Sequence, residues 1–183
     1  MRIIIIIVVM LIANFSEASW GKTKWGMTQK QIKKAYPGAI KVNAETMGIE
    51  KKTVAGKEAT VLFILFEDQL TRVVVIFTEK HYQKSLYRID FANMSALLDK
   101  KYKEPTEREI LWTEPNYKAL YDSDQAFTMC GVAYYSEWQF AEETVQHSIE
   151  CRKYKYTHKI LYWHNKLDAE RKKKETEQNS NEL

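Results

Sequence analysis

Residues 57–80 read KEATVLFILFEDQLTRVVVIFTEK. Residues 61–66 form an unbroken apolar run, Glu67-Asp68-Gln69 breaks it, and residues 73–77 form a second run. β-Branched and aromatic runs of this length, split by a short polar gap, predict two antiparallel strands joined by a tight turn. Simple alternation of apolar and polar residues is missing, so both faces of this pair are expected to be at least partly covered. The pair is therefore placed at the centre of a sheet.

On the N-terminal side, Met27-Thr28-Gln29-Lys30-Gln31-Ile32 carries a helix start. Thr28 serves as the cap, Gln31 as its capping-box partner, and Met27 packs on Ile32 as a hydrophobic staple. Pro37-Gly38 stops this helix at Tyr36. A strand over residues 49–54 with a turn at Ala55-Gly56 makes a three-stranded meander with the central pair. On the C-terminal side, Tyr87, Phe91, Met94 and Leu98 recur at helical spacing within residues 81–102, with Leu97 and Tyr102 widening the stripe. Residues 109–121 are aromatic but irregular, and strands follow at 132–140, 144–152 and 158–164. In the middle one, Val145, His147, Ile149 and Cys151 share a face. The order is helix, strands, helix, strands: an α+β domain with two helices on an antiparallel sheet. The similar helix ends at residues 33–37 (KKAYP) and 100–105 (KKYKEP) hint at an internal duplication.

The chain opens with Arg2, an apolar run over residues 3–13, and small residues at Ser16 and Ala18. This is the pattern of a signal peptide, residues 1–18, cleaved after Ala18. The run is too short to cross a bilayer easily, which takes about 20 residues. The domain is then 19–168, and residues 169–183, charged and nearly free of apolar side chains, are expected to form a tail whose first part extends a short helix and whose end is disordered. With 28 basic and 24 acidic residues the net charge is +4. Loss of Arg2 and Glu17 leaves that balance unchanged. So small a charge, spread along an exported chain, speaks against nucleic acid as a partner. Export predicts a periplasmic or secreted protein, with no membrane insertion after signal cleavage.

Several of these residues resemble a family of small exported bacterial proteins. Trp25-Gly26-Met27-Thr28 is similar to a WG-x-[ST] helix start, and 63–66 with 70–77 to its hairpin. Lys101-Tyr102 followed by Pro105 resembles a KYG-x-P helix end, with Lys103 where glycine is usual. Trp138 followed by residues 144–151 resembles its later strands; residues 117–131 are an insert. The resemblance implies a fold similar to β-lactamase-inhibitor-protein-like and SmpA/OmlA-like domains, which are binding modules. The lipidation cysteine of the latter type is missing here.

Catalytic signatures are not found: there is no G-x-S-x-G elbow, phosphate loop or H-E-x-x-H motif. Ser85, Ser95, Ser136 and Ser148 sit in ordinary contexts, and Glu142-Glu143 reads as a solvated turn. His147 and Cys151 share a strand face but lie roughly 13 Å apart at about 3.3 Å per residue. They do not make one metal site, and His147 reads as a partly buried, hydrogen-bonded side chain. No catalytic residue, metal or cofactor is expected. Cys130 and Cys151, almost equidistant from a turn near Ala141-Glu142, are expected to form a disulfide in an oxidising compartment.

Aromatic residues crowd the last strands. Tyr134, Tyr135, Trp138, Tyr162 and Trp163 form the candidate binding surface, because Tyr and Trp anchor interfaces. Consecutive aromatics on a strand point to opposite faces, so one of each pair is a candidate for exposure. The leading expectation is non-catalytic recognition of a protein partner in the cell envelope or outside it. An aromatic-lined site for a small apolar or glycan ligand is the alternative, and a hydrolase with an unrecognised site is the third.

Overall fold

The computed structural model describes residues 20–181, with side chains described to Glu177. The proposed signal peptide lies outside the described residues. The elements in chain order are α1 (Gln29–Ala35), β1 (Ile40–Lys41), β2 (Thr46–Val54), β3 (Lys57–Phe66), β4 (Gln69–Phe77) and α2 (Ser85–Tyr102). They continue as β5 (Glu107–Trp112), α3 (Tyr117–Leu120), α4 (Ser123–Thr128), β6 (Val132–Gln139), β7 (Glu143–Arg152), β8 (Lys155–His164) and α5 (Asn165–Asn181).

The strands make one sheet in the order β1-β2-β3-β4-β8-β7-β6-β5, with every neighbouring pair antiparallel. Each half runs helix then four strands, and the last strands of the two halves, β4 and β8, meet at the centre. The α+β order expected from sequence is thus observed, and the symmetric topology is the arrangement that a duplicated unit would produce. Three hairpins close through two-residue turns with left-handed central residues: Ala55-Gly56, Glu67-Asp68 and Lys153-Tyr154. Such turns match the right-handed twist of the paired strands.

The local signals explain the element ends. Thr28 accepts a hydrogen bond from the Gln31 amide at 3.3 Å, and Gln31 accepts one from the Thr28 amide at 2.8 Å. The reciprocal capping box is complete. At the end of α2, Lys103 has φ 71 and ψ −156, backbone space that glycine enters most easily.

One face of the sheet is covered. Val61, Phe63 and Leu65 of β3, Val73 and Val75 of β4, and Ile160 and Tyr162 of β8 are buried with Ile32 of α1 and Met94 and Leu98 of α2. A second cluster joins Tyr87 and Phe91 of α2 to Ala126 and Phe127 of α4, Val132 and Ile149. The disulfide Cys130–Cys151 closes this end, with a Cα separation of 4.9 Å. Cys130 precedes β6 and reaches β7 diagonally. Closing a loop of 21 residues contributes roughly 3 kcal/mol in the chain-entropy account.

The opposite face of β3 and β4 is only partly covered, as expected: its side chains are half-buried, and among the described residues α5 packs on its end at Arg72 and Phe66. Several sequence expectations need correction. Leu97 is exposed rather than part of the buried α2 stripe. Strands β1 and β5 were not expected, and the aromatic stretch after β5 folds as α3 and α4. The helical first part expected of the tail is observed and runs on as α5, Asn165–Asn181. Its anchor is Asp168, buried and ion-paired with Arg72 of β4, with Lys172 at 3.1 Å. Burial opposes the Asp168 charge, but the bonds from Arg72 and Lys172 hold its carboxyl below the usual range. No helix among the described residues is long and apolar enough to cross a membrane.

Candidate binding face

The five aromatic residues singled out in the sequence do not form one surface. Trp138 is 1% exposed, and its indole N–H donates to the Lys103 carbonyl at 3.0 Å. Tyr162 is 4% exposed in the main core, and burial raises its phenol pKa. Tyr134 wedges between Phe91 and Phe127, with ring centroids 5.7 and 5.3 Å away. Only Tyr135 and Trp163 lie on the uncovered face. The reason is alternation: in Tyr134-Tyr135 and Tyr162-Trp163 the first member faces the helices and the second faces away.

What the uncovered face presents becomes clear from the strand register. One cross-strand row runs through all eight strands: Ile40, Gly48, Leu62, Val74, Leu161, Gln146, Glu137 and Glu107. It is apolar over β1–β4 and β8, neutral polar on β7 and acidic on β6 and β5. A parallel row, Thr60, Ile76, Lys159, Ser148, Tyr135 and Glu109, is mixed over β3, β4 and β8 and shares only the acidic end on β5. At about 4.8 Å per strand the full row spans roughly 33 Å.

The apolar half is continuous because Gly48 has no side chain. A Cβ there would meet Val42 Cγ2 at 3.1 Å and Leu62 Cδ2 at 3.3 Å, so those two side chains close over the strand. Val42 and Ile40 are themselves 57% and 56% exposed. Helix α5 limits the face at the β3–β4 turn, where the Lys174 ammonium lies 5.3 Å from the Phe66 ring centroid. At the acidic end, the charge of Glu109 raises the Glu107 pKa. Tyr135 donates to Glu137, and burial together with that bond pushes its phenol up to about 12.

Beneath α2 lies a polar chain of which sequence reasoning found only one member, the hydrogen-bonded His147, and missed the partners. Ser95 Oγ is 3.1 Å from His147 Nδ1, and His147 Nε2 is 2.8 Å from His158 Nε2. Phe91 stacks on His147 at 4.2 Å, and Phe77 packs on His158 at 4.4 Å. Partners eleven residues apart leave no local spacing signal; only the β7–β8 register brings them together. His147 is fully buried and held neutral by desolvation. Ser95 lies mid-helix, where the amides are committed to helix bonds, so nothing in that backbone receives an oxyanion. The chain reads as a clamp between α2 and the sheet.

A nearby cluster of Glu79, His81 and Asp90 has ligand atoms within 4.8 Å of one another. The Lys57 ammonium already takes the cation position, 2.7 Å from Glu79 and 2.8 Å from Asp90. Glu143, expected to be a solvated turn residue, is half-buried and accepts a hydrogen bond from the Trp25 indole at 3.3 Å. On the helical side a shallow groove of about 280 Å³ runs between α2 and β6, floored by Phe91 and Tyr134.

Comparison with protein-family models, curated proteins and solved structures finds no match to this chain.

Proposed function

We propose that this chain is an exported, non-catalytic binding module that recognises a protein partner through the uncovered face of its sheet. The observation that carries the reading is the cross-strand row: β1, β3, β4 and β8 present partly exposed aliphatic side chains, and Val42 and Leu62 close over Gly48 of β2 between them. Large exposed apolar patches rimmed by polar groups mark interaction sites. The disulfide fits the export half of the proposal, since such bonds persist in oxidising compartments. Intact mass of the exported protein should show Ser19 as its first residue; full-length chain recovered only from the cytosol refutes export.

The face itself is tested by photo-crosslinking in the native envelope. A crosslinking residue in place of Leu161 should trap a discrete protein adduct. The same residue in place of Tyr82, which is 99% exposed elsewhere on the surface, should not. Identical adduct patterns from both positions, or none from Leu161, would sink the reading.

A second reading, a site for a small apolar or glycan ligand, draws on the groove floored by Phe91 and Tyr134. Its volume is near the lower end for ligand pockets, about 300 Å³.

A further inference from the structure

Resting on the proposed binding face, we infer that the partner is a basic protein: its apolar anchors lie on β3, β4 and β8 while its lysine or arginine side chains reach Glu107 and Glu109. The face supplies both halves of that description. Leu62, Val74 and Leu161 stand side by side on the apolar half. Two to three strands away, about 10–15 Å, Glu107, Glu137 and Glu109 gather on β5 and β6. Glu137 is buried and accepts hydrogen bonds from Tyr135 and Gln139, whereas among the described residues no ion pair takes up Glu107 or Glu109. Most bases on the same face are already used: Arg72 pairs with Asp168, Lys159 with Glu150 at 3.1 Å and Arg152 with Glu150 at 3.2 Å, which leaves Lys155 at the β7–β8 turn, away from the acidic strands.

Charge also argues against a second copy of this chain as the occupant. Laid face to face, it would bring another acidic end and, as its one unpaired strand base on this face among the described residues, only Lys155 at the far end of β8. A basic partner, by contrast, relieves the mutual repulsion that raises Glu107 and gains attraction at the rim, where charge sets orientation and on-rate. The polar row on β7, with Thr144, Gln146 and Ser148, separates the two zones and leaves room for hydrogen bonds.

The test uses the full chain and a defined probe. The probe is a synthetic amphipathic helix of about 18 residues, roughly 27 Å long, with a leucine stripe and lysine along one flank. Its glutamine and glutamate analogues are the comparison, and binding is read by fluorescence anisotropy at low and high salt. The lysine peptide should bind about 3- to 30-fold tighter than the glutamine analogue, as two exposed ion pairs allow. That preference should vanish in the Glu107→Gln/Glu109→Gln variant and fade with salt. Leu161→Glu should abolish binding of all three; Val42→Glu, at an exposed position, repeats the test without risk to the core.

Equal binding of the three peptides, lost in Leu161→Glu or Val42→Glu, overturns the basic partner and leaves the face standing. Binding indifferent to both surface variants, or no binding at all, removes the face as well. A wild-type dimer in sedimentation that Val42→Glu dissolves assigns the face to a second copy and overturns the inference.

Discussion

Phe63→Ala should lower the unfolding free energy by about 3–5 kcal/mol, the usual cost of truncating a fully buried phenylalanine. Phe63 is fully buried in β3, paired with Met47 on one side and Val73 on the other. Its ring stacks on Tyr36 at 5.4 Å and packs against Trp20 at 6.1 Å. The cavity would therefore open at the junction of β3, the N-terminal segment and the end of α1. That helix has seven residues and only Ile32 buried, so it depends on this packing to persist. Urea unfolding gives the cost, and hydrogen exchange at residues 29–36 should rise with it. A change within about 0.5 kcal/mol, the ordinary surface range, would mean Phe63 is not core.

Acidification should destabilise the protein between pH 6.5 and about 4, through the histidine clamp. Burial lowers the pKa of His158 from 6.5 to about 4, and that of His147 well below 6.5. In the unfolded chain both take up protons near pH 6.5, so as pH falls the unfolded state binds more protons than the folded state. Stability from this source is complete above pH 6.5 and is lost as pH drops towards the folded pKa. His158 alone accounts for roughly 3 kcal/mol across that window.

The geometry supplies the mechanism. One added proton leaves an N–H donor and a lone pair between the two Nε2 atoms; a second leaves two donors facing each other at 2.8 Å. Asp90 favours a charge on His158, while Lys57 and His81 oppose it, and Arg108 opposes one on His147. Because Ser95 and Phe91 tie α2 to His147, the loosening should begin at that helix. Urea unfolding at pH 7 and pH 4.5, on wild type and on His147→Gln and His158→Gln, reads this directly. If both variants keep the wild-type slope with pH, the pair is not the source.

Much of the fold was written locally. The Thr28–Gln31 capping box, the two-residue hairpin turns and the apolar runs of β3 and β4 act through neighbours a few residues apart, so they could be read directly. The disulfide was legible for the same reason: two cysteines nearly equidistant from one turn must approach if the hairpin forms. Strand β5 escaped because its residues are almost all exposed at a sheet edge, where no burial pattern marks them. The length of helix α5 escaped because it is held by ion pairs to Arg72 and Glu67, far away in sequence, rather than by an apolar stripe.

The site divides along the same line. Alternation alone required that Tyr134 and Tyr135, and Tyr162 and Trp163, part to opposite faces. Which face the helices would cover depended on tertiary packing, and so did the burial of Trp138 and Tyr162. The row from Ile40 to Glu107 exists only because eight strands from both halves align in register, bringing residues 121 positions apart in the numbering into one surface with β1 and β5 at its ends. By itself the sequence determined strands, turns, caps and the cysteine pair, since short-range sterics and hydrogen bonds decide those. The sheet order decided the proposed binding face and the His147–His158 contact, because cross-strand pairing joins residues that carry no mark of each other along the chain.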